Sequence, residues 1–205
     1  MKRIEESRLA FYFDESYNVI KFDEDPFYRE YFNKMSGSKG VDFLAESEEI
    51  IHFIEVKNCL GTEQENRWRT SINNGRIDAA PRGLNVDNRN SFDIEVAQKV
   101  AMSICCLFGS WTKEQETEKA VNLADYWRKI NSAKISKNKK QIVVTLFLEG
   151  DFGGRGQTKD KKMIMNSIQQ SISKMLVWLN CKVFVVDTNT YKEKYFTLDA
   201  TKRLS

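Results

Sequence analysis

The chain has 205 residues, 41% of them hydrophobic and 12% aromatic, which suits one domain with a sizeable core. Its 32 basic and 29 acidic residues nearly cancel to +3, which excludes a chain-wide basic field, so any nucleic-acid surface must come from local clustering. Cys59, Cys105, Cys106 and Cys181 form no CxxC pair and His52 is the single histidine, which argues against a zinc site or a disulfide framework and for a reducing, cytoplasmic setting.

The first residues, MKRIEESRLAFYF, start basic but lack the apolar run of a signal peptide, and no stretch reaches the length of a membrane span. Leu9–Phe13 and Asn18–Phe22 read as short strands joined by the polar turn Asp14–Tyr17. Asp25-Pro26 opens a helix, FYREYFNKM, with Asp25 as N-cap and Pro26 at the first helical position. Val41–Glu46 and Ile50–Lys57 follow as a strand pair. Residues 58–90 are polar and irregular, with one helix expected across Glu63–Ile72. Ser91 caps a helix over Phe92–Phe108 that Gly109 should close, and another helix is expected from Lys113 to Ile130. SAKISKNKK reads as a basic loop, Gln141–Gly150 as a buried strand and DFGGRGQTKDKK as a second basic loop. Ile164, Ile168, Ile172, Met175 and Leu179 place one apolar stripe along a helix from Asp160 to Leu179. Lys182–Asp187 is a last buried-type strand. The interleaving predicts a single α/β domain over residues 1–205, with a mixed central β-sheet flanked by helices.

The strand pair carries the chemistry. With Glu48-Glu49 at the centre of a hairpin turn, Leu44 faces Phe53 and Asp42 faces Glu55. Side chains alternate along a strand, so Glu55 and Lys57 share a face with Asp42. Two opposed carboxylates in apolar surroundings repel, and burying them is costly unless something compensates. A Mg²⁺ ion does so, because it takes one or two protein carboxylates and fills its shell with water and phosphate oxygens. Lys57 beside the pair could then orient or activate a water, or stabilise charge developing on phosphorus. The bland alternative is that Asp42 ends a strand and Glu55–Lys57 is a solvated edge pair. A carboxylate separation beyond about 8 Å would make a shared ion untenable.

Gly40-Val41-Asp42-Phe43, ten residues, then Ile54-Glu55-Val56-Lys57 resembles the signature of the PD-(D/E)XK nuclease superfamily, in which an Asp on one hairpin strand precedes a (D/E)-x-K on the next. Val41 stands where that signature has proline. The resemblance implies a restriction-endonuclease-like αβββαβ core, here with added N-terminal strands and an inserted helix. It implies hydrolysis of phosphodiester bonds, with DNA as the expected partner and Mg²⁺ or Mn²⁺ as cofactor. Asp42, Glu55 and Lys57 would be catalytic, and Asp42 and Glu55 would hold the ion. Glu30, on the helix before the hairpin, resembles an acidic residue that many members add to the metal site. Gln98, on the helix after the motif, resembles an auxiliary residue that some members aim at the site, and Lys99 lies beside it.

Basic residues cluster in three places: Arg67, Arg69, Arg76, Arg82 and Arg89; Lys134, Lys137, Lys139 and Lys140; and Arg155, Lys159, Lys161 and Lys162. They are candidate phosphate contacts, with Arg67, Arg69, Lys139, Lys140, Arg155, Lys159 and Lys161 foremost. His52 alternates with Phe53 and so points away from Glu55, which favours a structural role. A catalytically idle module of the same fold is the first rival reading. A protein-interaction domain using Trp111, Tyr126 and Trp127 is the second. A homodimer would suit cleavage of both strands.

Overall fold

The N-terminal strands extend further than the sequence pattern suggests. Lys2–Glu6 (β1) pairs antiparallel with Leu9–Phe13 (β2), and the two-residue strand β8 (Thr197–Leu198) joins the far side of β2. KRIEE reads as polar text because only Ile4 is buried, the pattern of an edge strand with one covered face. The computed structural model describes residues 1–73, 90–153 and 160–199.

The second sheet contains Asn18–Lys21 (β3), Phe43–Glu46 (β4), Ile50–Asn58 (β5), Gln141–Glu149 (β6) and Cys181–Val186 (β7), in that spatial order. β3, β4 and β5 are antiparallel neighbours, whereas β5–β6 and β6–β7 are parallel. The helices are α1 (Pro26–Glu30), α2 (Glu63–Asn66), α3 (Phe92–Lys113), α4 (Val121–Ile130), α5 (Ala133–Ser136) and α6 (Lys161–Met175). The parallel pairs need crossovers, and α3 to α5 and then α6 lie in the two connections. The architecture is therefore mixed α/β with two sheets.

β6 is apolar along nearly its whole length because both faces of the large sheet are covered. On one face α3, α4 and α6 bury Leu44, Ile51, Phe53, Val96, Val100, Leu107, Tyr126 and Ile168. On the other, the small sheet buries Phe11, Phe43, Ile54, Val56, Phe147 and Phe196, with the Phe11 ring edge-on to Phe43, Phe147 and Phe196. His52 belongs to this second face, where its Nε2 lies 2.7 Å from Thr145 Oγ1.

Several helices differ from expectation. α1 stops after five residues and passes into a 3-10 turn at Phe32–Lys34, because this aromatic-rich segment has little intrinsic helix preference. Asp25 caps it: Oδ1 accepts from Phe27 N at 2.8 Å and Oδ2 accepts from Asn122 Nδ2 at 3.1 Å. Asp25→Ala should therefore cost about 1–2 kcal/mol, read as a lowered urea midpoint with an unchanged slope. Gly109 does not end α3, which continues to Lys113. A mid-helix glycine costs only about 1 kcal/mol, and rings packed on either side, Phe108 and Trp111 with Trp127, offset it. The expected helix across Glu63–Ile72 is α2 followed by a 3-10 turn at Arg67–Thr70. Ala133–Ser136, read as loop, is the single-turn helix α5. Asp160 caps α6 as its side chain accepts from Met163 N at 2.8 Å.

Candidate functional site

The hairpin has the register that a turn centred on Glu48-Glu49 implies. Phe43 pairs with Ile54 and Leu44 with Phe53, and Ser47 N donates to Ile50 O at 3.0 Å across a Glu48-Glu49 turn. The ladder continues past β4, where Asp42 N donates to Ile54 O at 3.1 Å and Asp42 Oδ2 accepts from Val56 N at 2.7 Å. Asp42 thus lies opposite Glu55, on the helix-covered face. Gly40 lets the chain enter this strand, since a Cβ there would lie 2.7 Å from Phe22 Cδ1.

The two carboxylates share one ammonium. Lys99 Nζ lies 2.6 Å from Glu55 Oε1 and 3.3 Å from Asp42 Oδ1, so the acids are well within reach of a common cation. Lys57 Nζ lies 2.8 Å from the same Glu55 Oε1 and 2.8 Å from Glu95 Oε1. Arg69 closes the chain on Glu95 Oε2. The order is Asp42–Lys99–Glu55–Lys57–Glu95–Arg69, three acids alternating with three bases. The cluster borders an open groove of about 530 Å³ lined by Lys57, Lys99, Glu95 and Arg69, with Thr62 and Asn66 on its α2 wall.

Burial, and then the Glu55 charge, push the Asp42 carboxyl up to about 7. Burial acts against ionisation of Glu95 too, but Lys57 and Arg69 outweigh it and hold that carboxyl down to about 2. Burial likewise opposes the Lys57 ammonium, yet Glu55, Glu95 and Asp42 raise its pKa above the ordinary lysine value. Lys57 is therefore a cation here, with charge and N–H donors to offer but no lone pair to act as a base.

Glu55 is 1% exposed, and its Oε2 has no hydrogen-bond partner among the described residues. A buried carboxylate oxygen with nothing to accept from, opposite an aspartate whose ionisation is disfavoured, fits a hard divalent cation such as Mg²⁺ or Mn²⁺. Among the described residues no group of three or more His, Cys, Asp or Glu side chains converges on such a position, so Asp42 and Glu55 would leave most of the shell to water or substrate oxygens.

Other sequence-selected residues are engaged elsewhere. Glu30 is exposed on α1 and pairs with Lys119 at 2.5 Å, because the short helix turns its acid toward the 3-10 turn before α4. Gln98 is exposed and accepts from Asn90 Nδ2 at 3.2 Å. Glu95 and Lys99, one turn apart on α3, face the hairpin instead, since Gln98 lies roughly 200° around the helix from the core residue Val96. Two charged residues at i and i+4, each flanking a core position (Val96 and Val100), were the available signal for this pair.

The basic clusters also separate. Arg69 is buried against Glu95, with its guanidinium 4.3 Å from the Phe92 ring centre, and is not a free phosphate contact. Arg67 is half-buried. Lys140 is buried and pairs with Glu46, and exposed Lys139 precedes it. Both precede Gln141, which aligns with Ile50, at the opposite end of the sheet from Glu55 and Lys57. Lys161 pairs with Asp187 at 2.5 Å. Arg76, Arg82, Arg89, Arg155 and Lys159 lie outside the described residues. Tyr126 is fully buried, whereas Trp111 and Phe108 form an exposed aromatic pair.

Fold and site together define a mixed α/β protein with a buried carboxylate–ammonium cluster at the rim of an open groove. A family model described as a family of unknown function (DUF6661) matches residues 25–200, and the chain belongs to that family. No curated protein and no solved structure matches it. Among the described residues no helix is long and apolar enough to cross a membrane.

Proposed function

We propose that this chain is a metal-dependent phosphodiesterase acting on nucleic acid, with DNA as the expected substrate and the cytoplasm as its setting. One observation carries the reading: the hairpin register sets Asp42 opposite Glu55, beside Lys57 at the edge of a groove, with Glu55 Oε2 buried and unpartnered. The β3–β4–β5–β6 order and the helix between β5 and β6 support the PD-(D/E)XK resemblance. A departure from the αβββαβ order is that α1 lies between β3 and β4 instead of before the three strands.

Asp42 and Glu55 would hold Mg²⁺ or Mn²⁺, which when bound supplies charge stabilisation at the phosphate and a more acidic water. Lys57, kept as an ammonium, donates to a phosphate oxygen or to the attacking water as charge builds on phosphorus. Lys99 neutralises the acids and offers a second donor on the same side. A dimer would let two such sites cut both strands.

The rival reading, an idle module of this fold, has an observation of its own: Lys99 already spans both carboxylates, so the pair is compensated from within. Labelled single- and double-stranded DNA and RNA, incubated with Mg²⁺, with Mn²⁺ and with chelator, separate the two. Cutting that needs the ion and disappears in Asp42→Asn is the expected result. No cutting of any substrate, with no divalent-induced rise in melting temperature, supports the idle module.

A further inference from the structure

Lys57 is not placed by Glu55 alone. The oxygen it uses, Glu55 Oε1, is also the oxygen that Lys99 approaches at 2.6 Å. One oxygen serving two ammoniums cannot by itself determine where either sits. Lys57 has a second anchor, Glu95 Oε1 at 2.8 Å, and Glu95 is only 8% exposed.

Glu95 is in turn held from outside the hairpin. Its other oxygen accepts from Arg69 Nη2. Arg69 is itself oriented on every side: Nε donates to the Asn90 carbonyl at 3.1 Å, Nη1 donates to Asn66 Oδ1 at 3.2 Å, and the guanidinium lies over the Phe92 ring. Asn66 lines the groove and belongs to α2, immediately before the 3-10 turn that carries Arg69. A planar guanidinium with this many partners leaves Glu95 little rotational freedom.

We infer that Glu95, oriented by Arg69, is a positioning residue for Lys57, and that Arg69 ties the placement of Lys57 to the α2 wall of the groove. The catalytic consequence rests on the phosphodiesterase reading; the placement itself does not. A purely structural ion pair would tie the 3-10 turn to α3 and leave Lys57 where Glu55 holds it. Positioning makes the Lys57 ammonium depend on the charge of Glu95.

The test uses the full chain and the variants Glu95→Gln and Arg69→Lys, with the Lys57 side-chain ammonium signal followed by ¹⁵N–¹H NMR and assigned by its loss in Lys57→Arg. In Glu95→Gln that signal should broaden or vanish, while the midpoint for Mn²⁺ binding stays within about 2-fold of wild type. Single-turnover cleavage should fall about 10–100-fold with little change in KM, the usual scale for losing a group that orients a site residue. Arg69→Lys, which keeps the charge but not the fork, should show a smaller loss of both signal and rate, and it decides the matter if Glu95→Gln does not fold. A folded variant that keeps the wild-type ammonium signal overturns the inference. If the wild type cuts no nucleic acid, the phosphodiesterase reading fails, and the ammonium spectrum still decides the placement.

Discussion

Glu55→Gln is expected to destabilise the metal-free protein by roughly 3 kcal/mol, whereas Asp42→Asn is expected to leave it at least as stable as wild type near neutral pH. The two carboxylates face each other across one hairpin, but their surroundings differ. Glu55 Oε1 is the shared acceptor of Lys57 and Lys99, whose side chains are only 20% and 15% exposed. Neutralising it leaves two largely buried ammoniums short of a partner, and breaking a buried pair from one side costs about 3–5 kcal/mol. Partial exposure of both lysines argues for the lower end. For a chain of this length that corresponds to a melting temperature lower by roughly 6–12 °C.

Asp42 is different because burial and Glu55 already push its carboxyl up to about 7. Its charge is poorly tolerated near neutral pH, because burial and the repulsion from Glu55 together outweigh the attraction of Lys99, so removing that charge does not cost stability. Both variants should nevertheless lose the response to divalent cation. A ligand at 100 times its Kd adds about 2.7 kcal/mol to a protein that binds it only when folded, and that increment should be absent in each. Thermal melts of the three proteins with chelator and with excess Mg²⁺ check all of this. A Glu55→Gln protein as stable as wild type, or still stabilised by Mg²⁺, would show that the cluster is not organised around Glu55.

The second large effect is on the acid side of the stability profile and comes from His52, on the other face of the sheet. Burial pushes its pKa from 6.5 down to about 3. Its Nδ1 has no partner among the described residues, so an imidazolium there would bury an unpaired N–H. Between those two values the unfolded chain binds a proton that the folded chain does not. His52 therefore withdraws stability as pH falls, by up to about 1.4 kcal/mol per pH unit. Asp42 acts with the opposite sign: its raised folded pKa means that the folded chain binds the extra proton, so stability rises as pH falls from about 7 toward its ordinary value of 3.8.

The two slopes offset, and the wild type in chelator should be almost flat between about pH 6.5 and 4.5. His52→Asn, which can still bond Thr145, should instead gain stability on acidification through that window. Its slope should differ from that of wild type by about 1.4 kcal/mol per pH unit. A divalent ion that keeps Asp42 ionised should expose the His52 slope in the wild type. Urea midpoints across the window measure the difference, and parallel profiles for the two proteins would mean that His52 is not held neutral by the fold. Below the window Glu95, held near 2, adds its own loss of stability as it is protonated.

The hairpin is legible in the sequence because its information is local. Glu48-Glu49 between two apolar runs centres the turn, and that centre sets Leu44 against Phe53, because antiparallel pairing runs symmetrically out from a hairpin turn. Asp42 opposite Glu55 follows from that register and nothing else. β1 and β8 were not legible, since KRIEE is mostly exposed and a two-residue strand carries no period. The length of α3 is not legible for a related reason: Gly109 is a weak stop signal against twenty residues of favourable packing. Charge alone makes Lys139 and Lys140 candidate phosphate contacts, and parallel pairing of β5 with β6 carries them to the end of the sheet away from Glu55.

The acid pair, the lysine two residues on, and the layering of helices against a mixed sheet are all written in the amino-acid sequence, because each depends on a turn or a period within one or two adjacent elements. Tertiary structure alone decided what surrounds that pair. Glu95 and Lys99 were selected over Gln98 by the rotation of α3 against the sheet, and Arg69 was turned inward by a 3-10 turn packed on the same helix. Those choices depend on contacts between residues 26 to 57 positions apart, where no local period operates and only the docking of whole elements chooses which charge meets which.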